Sequence, residues 1–334
     1  MTGWIGENRG RIASVLIVLA IFAAPVLALL WMTAVPGQSF AGALPPLTPA
    51  EAALAQRLRG HVEAIASTPH NAGHPEALEA AALHLEQALA GMGYAVVRQP
   101  FDDGHVRNLE AVIEPADSAA PTLVIGAHYD SAFTAPGAND NASGAAAVVE
   151  LARSLADLRG KAAVRIRLAL FVNEEPPFFQ SDRMGSLVYA NRLKASGERV
   201  SGMVSLETIG WFSDKPGSQH YPFPLDLLYP DTGNFVAFVG TIGSRPLVRR
   251  VTGAFREATQ FPSVGGTAPG FVQGIDWSDH WAFEQAGFPA LMVTDTAPFR
   301  YPWYHSTHDT PDKVDYQRLA RVVAGLERVV RGWR

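Results

Sequence analysis

Between Ile12 and Val35 no residue is charged, and Val, Leu, Ile and Ala dominate. As a helix, such a run is long enough to cross a hydrocarbon core of about 30 Å, which takes roughly 20 residues. Pro25 inside it is tolerable in a membrane helix. The next stretch, Pro36 to Pro49, is punctuated by Gly37, Gly42, Pro45 and Pro46 and reads as a linker. Apolar residues then recur at helical spacing from Ala50 to Ile65. Ser67-Thr-Pro-His-Asn-Ala-Gly-His74 breaks the pattern, and a second helix is predicted from Pro75 to Ala90, closed by Gly91-Met-Gly93. A strand follows at Ala95–Gln99. Short apolar runs at Leu123–Ala127, Val164–Val172, Met203–Glu207, Phe235–Gly240 and Ala290–Thr294 read as buried strands. Helical patterns at Ser143–Leu158, Gly185–Lys194, Pro246–Ala258, Asp279–Gln285 and Val314–Arg331 alternate with them. That alternation predicts an α/β domain with a largely parallel, helix-covered sheet, whose ligands gather at the carboxyl ends of the strands.

Composition narrows the chemistry. With 334 residues, 48% of them hydrophobic, the chain is globular and has no repeat or low-complexity tract. A net charge of −5 gives no footprint for nucleic acid. Arg328, Arg331 and Arg334 read as the solvated end of the last helix. Without cysteine there are no disulfides and no thiolate chemistry, so any metal must be held by nitrogen and oxygen. Arg9 and Arg11 immediately precede the apolar run, which places residues 1–11 in the cytoplasm, 12–35 in the membrane as a single-pass anchor, 36–49 as linker and 50–334 outside as the catalytic body. The alternative is a cleaved signal peptide with Ala41-Gly-Ala43 as its small-residue site, giving a secreted body. On either reading the body is extracytoplasmic, periplasmic or extracellular.

Candidate chemistry clusters at the predicted strand ends. His128-Tyr-Asp130 and Gly137-Ala-Asn-Asp140-Asn-Ala-Ser-Gly144 flank one short loop after the strand at 123–127. A His-x-Asp pair is commonly a surface hydrogen bond, and Asp140 could simply cap the following helix. Glu174-Glu175, Glu207 and His305, each after a predicted strand, shift the balance toward a metal site. Adjacent glutamates on an extended backbone point apart, so one can ligate while the other reaches a water. Metal-assisted hydrolysis needs that division: a metal that acidifies water and a carboxylate that takes its proton. Glu207 closes a buried run, which is costly unless it meets a cation. His305 follows Tyr301-Pro-Trp-Tyr304, with His308 a competing candidate.

Together His128-x-Asp130, the Asp140 loop, Asn173-Glu174-Glu175, Ser278-Asp279-His280 and Tyr304-His305-Ser-Thr-His-Asp-Thr-Pro resemble the M28 family of zinc peptidases, over roughly Ala50 to the carboxyl end. The resemblance implies a mixed, mostly parallel sheet with helices on both faces and two zinc ions bridged by one aspartate. It implies that His128, Asp140 and Glu207 hold one zinc and that Asp140, Glu175 and His305 hold the other. Glu174 would be the general base, Asp130 would hold the second ring nitrogen of His128, and Asp279 would support the pocket or a ligand. Many family members have aspartate where this chain has Glu207, which bears on occupancy of the second metal position.

Phe178, Phe179, Trp211, Phe212, Trp277, Trp281, Phe299, Tyr301, Trp303 and Tyr304 gather near these motifs. About half are expected in the core; Trp211 and Tyr304 are candidates for contact with substrate. The Pro-, Gly- and Tyr-rich stretch from Ser213 to Thr232 reads as a lid, a binding wall or a membrane-facing loop. The leading expectation is a membrane-anchored zinc aminopeptidase acting on peptides. The same resemblance admits a glutaminyl-cyclase-like enzyme or a non-catalytic binding protein. No Gly-x-Ser-x-Gly elbow supports a serine hydrolase.

Overall fold

The structure is a computed structural model that describes residues 2–334. Met1 and the side chains of residues 2–10, 12, 13 and 15 lie outside the description, so Arg9, on which the expected membrane orientation leans, is outside it too. The elements are α1 (Thr2–Thr33), α2 (Pro49–Ile65), α3 (Pro75–Ala90), β1 (Val97–Phe101), β2 (Val106–Ile113), β3 (Thr122–His128), α4 (Ser143–Ser154), β4 (Arg165–Phe171), α5 (Gly185–Ala195), β5 (Val200–Glu207), β6 (Val236–Thr241), α6 (Arg245–Ala258), β7 (Ser263–Ala268), α7 (His280–Ala286), β8 (Ala290–Thr294), α8 (Ala297–Arg300) and α9 (Tyr316–Arg331).

One eight-stranded sheet runs in the order β1-β2-β4-β3-β5-β8-β6-β7. The β3–β4, β3–β5, β5–β8 and β6–β7 pairs are parallel. The β1–β2, β2–β4 and β6–β8 pairs are antiparallel. The mixed, mostly parallel sheet expected from the sequence is therefore present. Every residue of β3 is buried, as its uninterrupted apolar run requires. Gly126 is needed there, because a Cβ would stand 2.4 Å from Phe171 Cε2.

Two strands were not predicted. β2 carries buried Asn108 and Glu110, tolerable because Asn108 donates to the Gly185 carbonyl and Glu110 accepts from Arg167 and Tyr189. β7 contains Gly265-Gly266, poor strand formers, and is held by pairing to β6.

Helices α2, α3, α4, α6 and α9 pack on one face around the larger core, and α5 and α7 cover the other with Phe171, Tyr189, Met203 and Phe283. Over β6 and β7 this face is covered by the end of α1, whose Thr33 Cα would stand 3.5 Å from a Cβ at Gly266, and by roof loops from residues 213–232 and 269–278.

The segment expected to be a linker lies along α6 and the β7 edge. Arg245 donates to the Trp31 carbonyl at 2.8 and 3.0 Å, and Arg256 to the carbonyls of Pro36 and Gly37 at 3.1 and 2.8 Å. Thr267 Oγ1 donates to the Met32 carbonyl, and the Ser263 N–H to Ser39 Oγ. These contacts shield an otherwise open sheet edge. The stretch Leu16–Thr33 of α1 has a mean hydropathy of 2.5 and is not buried against the body.

Candidate metal centre

The carboxyl ends of β3, β4 and β5 converge, as a parallel sheet dictates. His128 ends β3, Glu174-Glu175 follow β4 and Glu207 ends β5. Asp140 sits in the tight turn entering α4, and His305 in the loop after α8. His128, Asp140, Glu174, Glu175 and Glu207 are buried, and His305 is partly so. Asn173, Thr208 and His305 have positive φ of 61°, 46° and 55°. Such backbone is costly for side-chain-bearing residues and is kept where surrounding structure enforces it.

The distances sort these groups into two sets. His128 Nε2 lies 3.5 Å from Asp140 Oδ1 and 3.3 Å from Glu207 Oε2. His305 Nε2 lies 3.0 Å from Asp140 Oδ2 and 3.4 Å from Glu175 Oε2. The two oxygens of Asp140 thus face different donor sets. Around zinc, with bonds of about 2.0–2.2 Å, neighbouring tetrahedral ligand atoms stand about 3.3–3.6 Å apart. His128, Asp140 and Glu175 bring one ligand atom each within 4.8 Å of one another. His128 Nε2, Asp140 Oδ2 and Glu175 Oε1 are buried without a hydrogen bond, although buried polar atoms rarely go unpaired. The residues present fit a bound metal cation.

Electrostatics point the same way. Burial pushes the carboxyls of Glu175 and Glu207 up to about 7, with the charge of Asp140 adding to the effect. Burial also drives Glu174 well above the carboxylate range, reinforced by Glu175, Glu207 and Asp279. Burial pushes the His128 imidazole down, but the Glu207 and Glu174 carboxylates more than reverse it. Crowded carboxylates out of water demand a positive charge among them. Glu174 Oε2 lies 3.8 Å from His128 Nε2, farther than the Asp140 and Glu207 oxygens that face the same ring nitrogen.

Asp130 acts differently from the expected ring support. The His128 ring donates from Nδ1 to the Asp130 backbone carbonyl at 3.0 Å, with the Asp130 carboxylate farther off at 3.6 Å. A carbonyl can only accept, so Nδ1 carries a hydrogen, and Nε2 is the ring nitrogen that faces Asp140 and Glu207. The carboxylate instead accepts the N–H groups of Glu174 and Glu175, each at 3.2 Å. It fixes the turn that aims both glutamates.

Asp140 caps no helix. The flanking glycines make room for protein rather than for metal: a Cβ at Gly144 would stand 2.4 Å from the Leu206 carbonyl, and one at Gly137 2.6 Å from the Asp140 carbonyl. Asp309, not singled out from the sequence, accepts the N–H groups of Asn139 and Asp140 at 2.8 and 3.1 Å and the Tyr301 hydroxyl at 2.7 Å. Asp295, also missed, accepts from Asn139 Nδ2 and the Trp211 N–H. It directly follows buried β8, the same signal that marked Glu207. Ser278 donates to Glu207 Oε2 at 2.9 Å.

Tyr304 stacks on the His305 ring at 3.9 Å, and His308 is exposed, which separates the two candidate histidines. Asp279 is fully buried beside the centre with neither carboxylate oxygen hydrogen-bonded, and burial pushes it up to about 7. Trp211 packs on Tyr301 rather than facing the donors. Beside Glu207 opens a cavity of about 100 Å³. Its walls include Tyr221, Leu225, Tyr229, Trp277, Phe299 and Tyr304, so the 213–232 loop forms one side of it.

The sequence model of peptidase family M28 matches residues 108–330. The chain belongs to peptidase family M28. Among its relatives, "Uncharacterized protein YfbL" of Escherichia coli (strain K12) is 46% identical over 222 residues, covering 64% of this chain and 66% of that protein. A "Probable leucine aminopeptidase" of Arthroderma otae (strain ATCC MYA-4605 / CBS 113480) is 27% identical over 232 residues, covering 65% and 55%. The chain thus spans between half and two thirds of the length of these relatives. In fold, this M28 chain is similar to the aminopeptidase from Aneurinibacillus sp. strain AM-1, with a TM-score of 0.62 and 20% identity over 83% of this chain and 93% of that one. It is equally similar to the glutaminyl cyclase of Fimbriiglobus ruber, with a TM-score of 0.62 and 22% identity over 90% and 100%.

Proposed function

We propose that this M28 protein is a membrane-anchored zinc exopeptidase, an aminopeptidase that removes amino-terminal residues from peptides outside the cytoplasm. The observation that carries the reading is the division of the site: the two oxygens of Asp140 face separate donor sets, while Glu174 stands 3.8 Å from His128, outside the closer contacts of either set. His128, Asp140 and Glu207 would hold one zinc, and Asp140, Glu175 and His305 the other. Bound zinc supplies a polarised scissile carbonyl and acidified water. Glu174 takes the water proton and returns it to the departing amine, a role suited to a carboxyl whose proton affinity burial has raised. Asp130 keeps Glu174 and Glu175 in register through their N–H groups. The acidic surplus of the site suits a substrate's α-ammonium, and the apolar cavity beside Glu207 suits its first side chain. The exposed apolar stretch of α1 is the anchor, with residues 1–11 cytoplasmic, 12–35 in the membrane, 36–49 strapped along the body and 50–334 catalytic.

The test is the full-length, zinc-loaded protein incubated with a peptide mixture that includes glutamine-started members, followed by mass spectrometry. Stepwise loss of amino-terminal residues supports the reading. Ammonia loss confined to glutamine-started peptides makes the protein a cyclase, the second reading, which Glu207 in place of the usual aspartate keeps in play. Unchanged peptides with zinc bound would leave a binding protein.

A further inference from the structure

We propose that the cavity beside Glu207 holds a hydrocarbon chain of a membrane-resident substrate, threaded from the bilayer side toward the metal centre. The proposal rests on the reading of the site as hydrolytic and of α1 as an anchor. It begins from the sheet register. Glu207 pairs with Thr294, Thr294 with Ala237 and Ala237 with Val264, so one row crosses β5, β8, β6 and β7. Three strand spacings make that row about 14 Å long. Its residues beyond Glu207 line the cavity together with Val239, Gly266 and Met292. These floor side chains are small or aliphatic, which leaves room for a cavity between this end of the sheet face and its roof loops. Glu207 is the one charged side chain among the described residues lining it. A row of that length matches a straight chain of about ten carbons, far longer than leucine.

The far end of the cavity reaches Thr33, the last residue of α1. This placement is fixed, because Arg245, Arg256 and Thr267 bond the carbonyls of Trp31, Pro36, Gly37 and Met32. The roof loops also expose large apolar side chains: Phe223 is 82% exposed, Leu227 71% and Phe271 90%. Beside the end of an apolar helix, such side chains suit the bilayer interface, where Phe and Leu are buried at the headgroup boundary. A chain lying among lipids would then enter without passing through water.

The experiment uses the full-length protein in phosphatidylcholine vesicles. Nitroanilides of straight-chain 2-amino acids, from three to twelve carbons, give kcat/KM as a function of length. Calorimetry with 1-butanol and 1-decanol, run on metal-free protein, reads the cavity independently of hydrolysis. The expected result is a rise of about fourfold per methylene up to about ten carbons, with decanol bound and butanol not. Ala237→Leu, mid-row, and Val264→Phe, at its far end, should each lower the ten-carbon to three-carbon rate ratio at least tenfold and weaken decanol binding. A series that is flat or falling beyond six carbons, with no decanol binding to folded wild-type protein, overturns the proposal. Decanol binding with no hydrolysis of any substrate supports the cavity and sinks the exopeptidase reading instead. Decanol binding that both variants retain at full strength places the chain elsewhere and overturns this assignment.

Discussion

Replacing Asp130 with asparagine separates two roles for that carboxylate. If it served mainly to hold the His128 ring, the substitution would do little, because the ring already donates to the Asp130 backbone carbonyl at 3.0 Å. In the structure the carboxylate accepts one N–H from Glu174 on Oδ1 and one from Glu175 on Oδ2. Asparagine keeps one acceptor and turns an NH₂ toward the other N–H, so a bond to a charged group becomes a donor–donor contact. Such a bond contributes about 1.5–3 kcal/mol, and at 1.36 kcal/mol per decade its loss corresponds to about 10- to 150-fold. That range overlaps the 10- to 100-fold effect typical of groups that orient metal ligands. We expect Asp130→Asn to lower kcat on an aminoacyl nitroanilide by this factor and to weaken zinc at the Glu175–His305 side. The His128 ring should stay protonated at Nδ1, as read by ¹⁵N NMR of labelled histidine. Asp226→Asn, on the 213–232 loop and hydrogen-bonded to neither glutamate, is the control. A kcat within twofold of wild type, or a switched His128 tautomer with Glu175 zinc intact, would refute the reasoning.

Other expectations follow from particular contacts. Glu207→Asp draws the carboxylate back by about 1.5 Å, against a tolerance near 0.2 Å for metal bonds; at limiting zinc the metal content should fall from two ions toward one by elemental analysis, and equal content would contradict the ligand assignment. Burial pushes the Glu150 carboxyl up, but bonds from His61, Arg57 and Arg153 bring it down to about 2. Its stabilisation is therefore full above the unfolded value of about 4.5 and drains away as pH falls toward 2. With its arginine partners half exposed, Glu150→Gln should cost about 2 kcal/mol at pH 7; the gap in unfolding free energy should shrink by pH 3, and a pH-independent gap would count against it. Gly126→Ala forces a Cβ against Phe171 and should cost about 1–3 kcal/mol in urea unfolding; wild-type stability would show that β3 and β4 can part there.

Much of this molecule is legible in the chain, for reasons that also mark what is not. Strands buried on both faces announce themselves as apolar runs, so β3, β4, β5, β6 and β8 were predicted close to their bounds. β2 interrupts its apolar residues with Arg107, Asn108 and Glu110, tolerated because Glu110 faces arginines supplied from β4 and α5. β7 exists through pairing rather than propensity. Of the proposed donors, His128, Glu175 and Glu207 stand at or just after strand ends, whereas Asp140 lies in the turn entering α4 and His305 in the loop after α8, where the motif is the one signal. The supporting carboxylates of Asp309 and Asp295 were not legible, since Asp309 holds the Asn139 N–H, 170 residues away, and Asp295 the Asn139 side-chain amide, 156 away. Nor could spacing show that Asp130 serves Glu174 and Glu175 more than His128. The cavity's path to Thr33 depends on strand order, which brings β7 and the end of α1 together.

The central claim is that Glu174 moves the proton in a two-zinc hydrolytic site, and one comparison tests it most directly. Glu174→Gln removes the base while leaving every proposed zinc ligand in place. With zinc content measured on the same sample, kcat for an amino-terminal residue should fall by about 10²–10⁴ while two zinc ions per chain remain. A variant that keeps both ions and turns over at the wild-type rate would contradict the account.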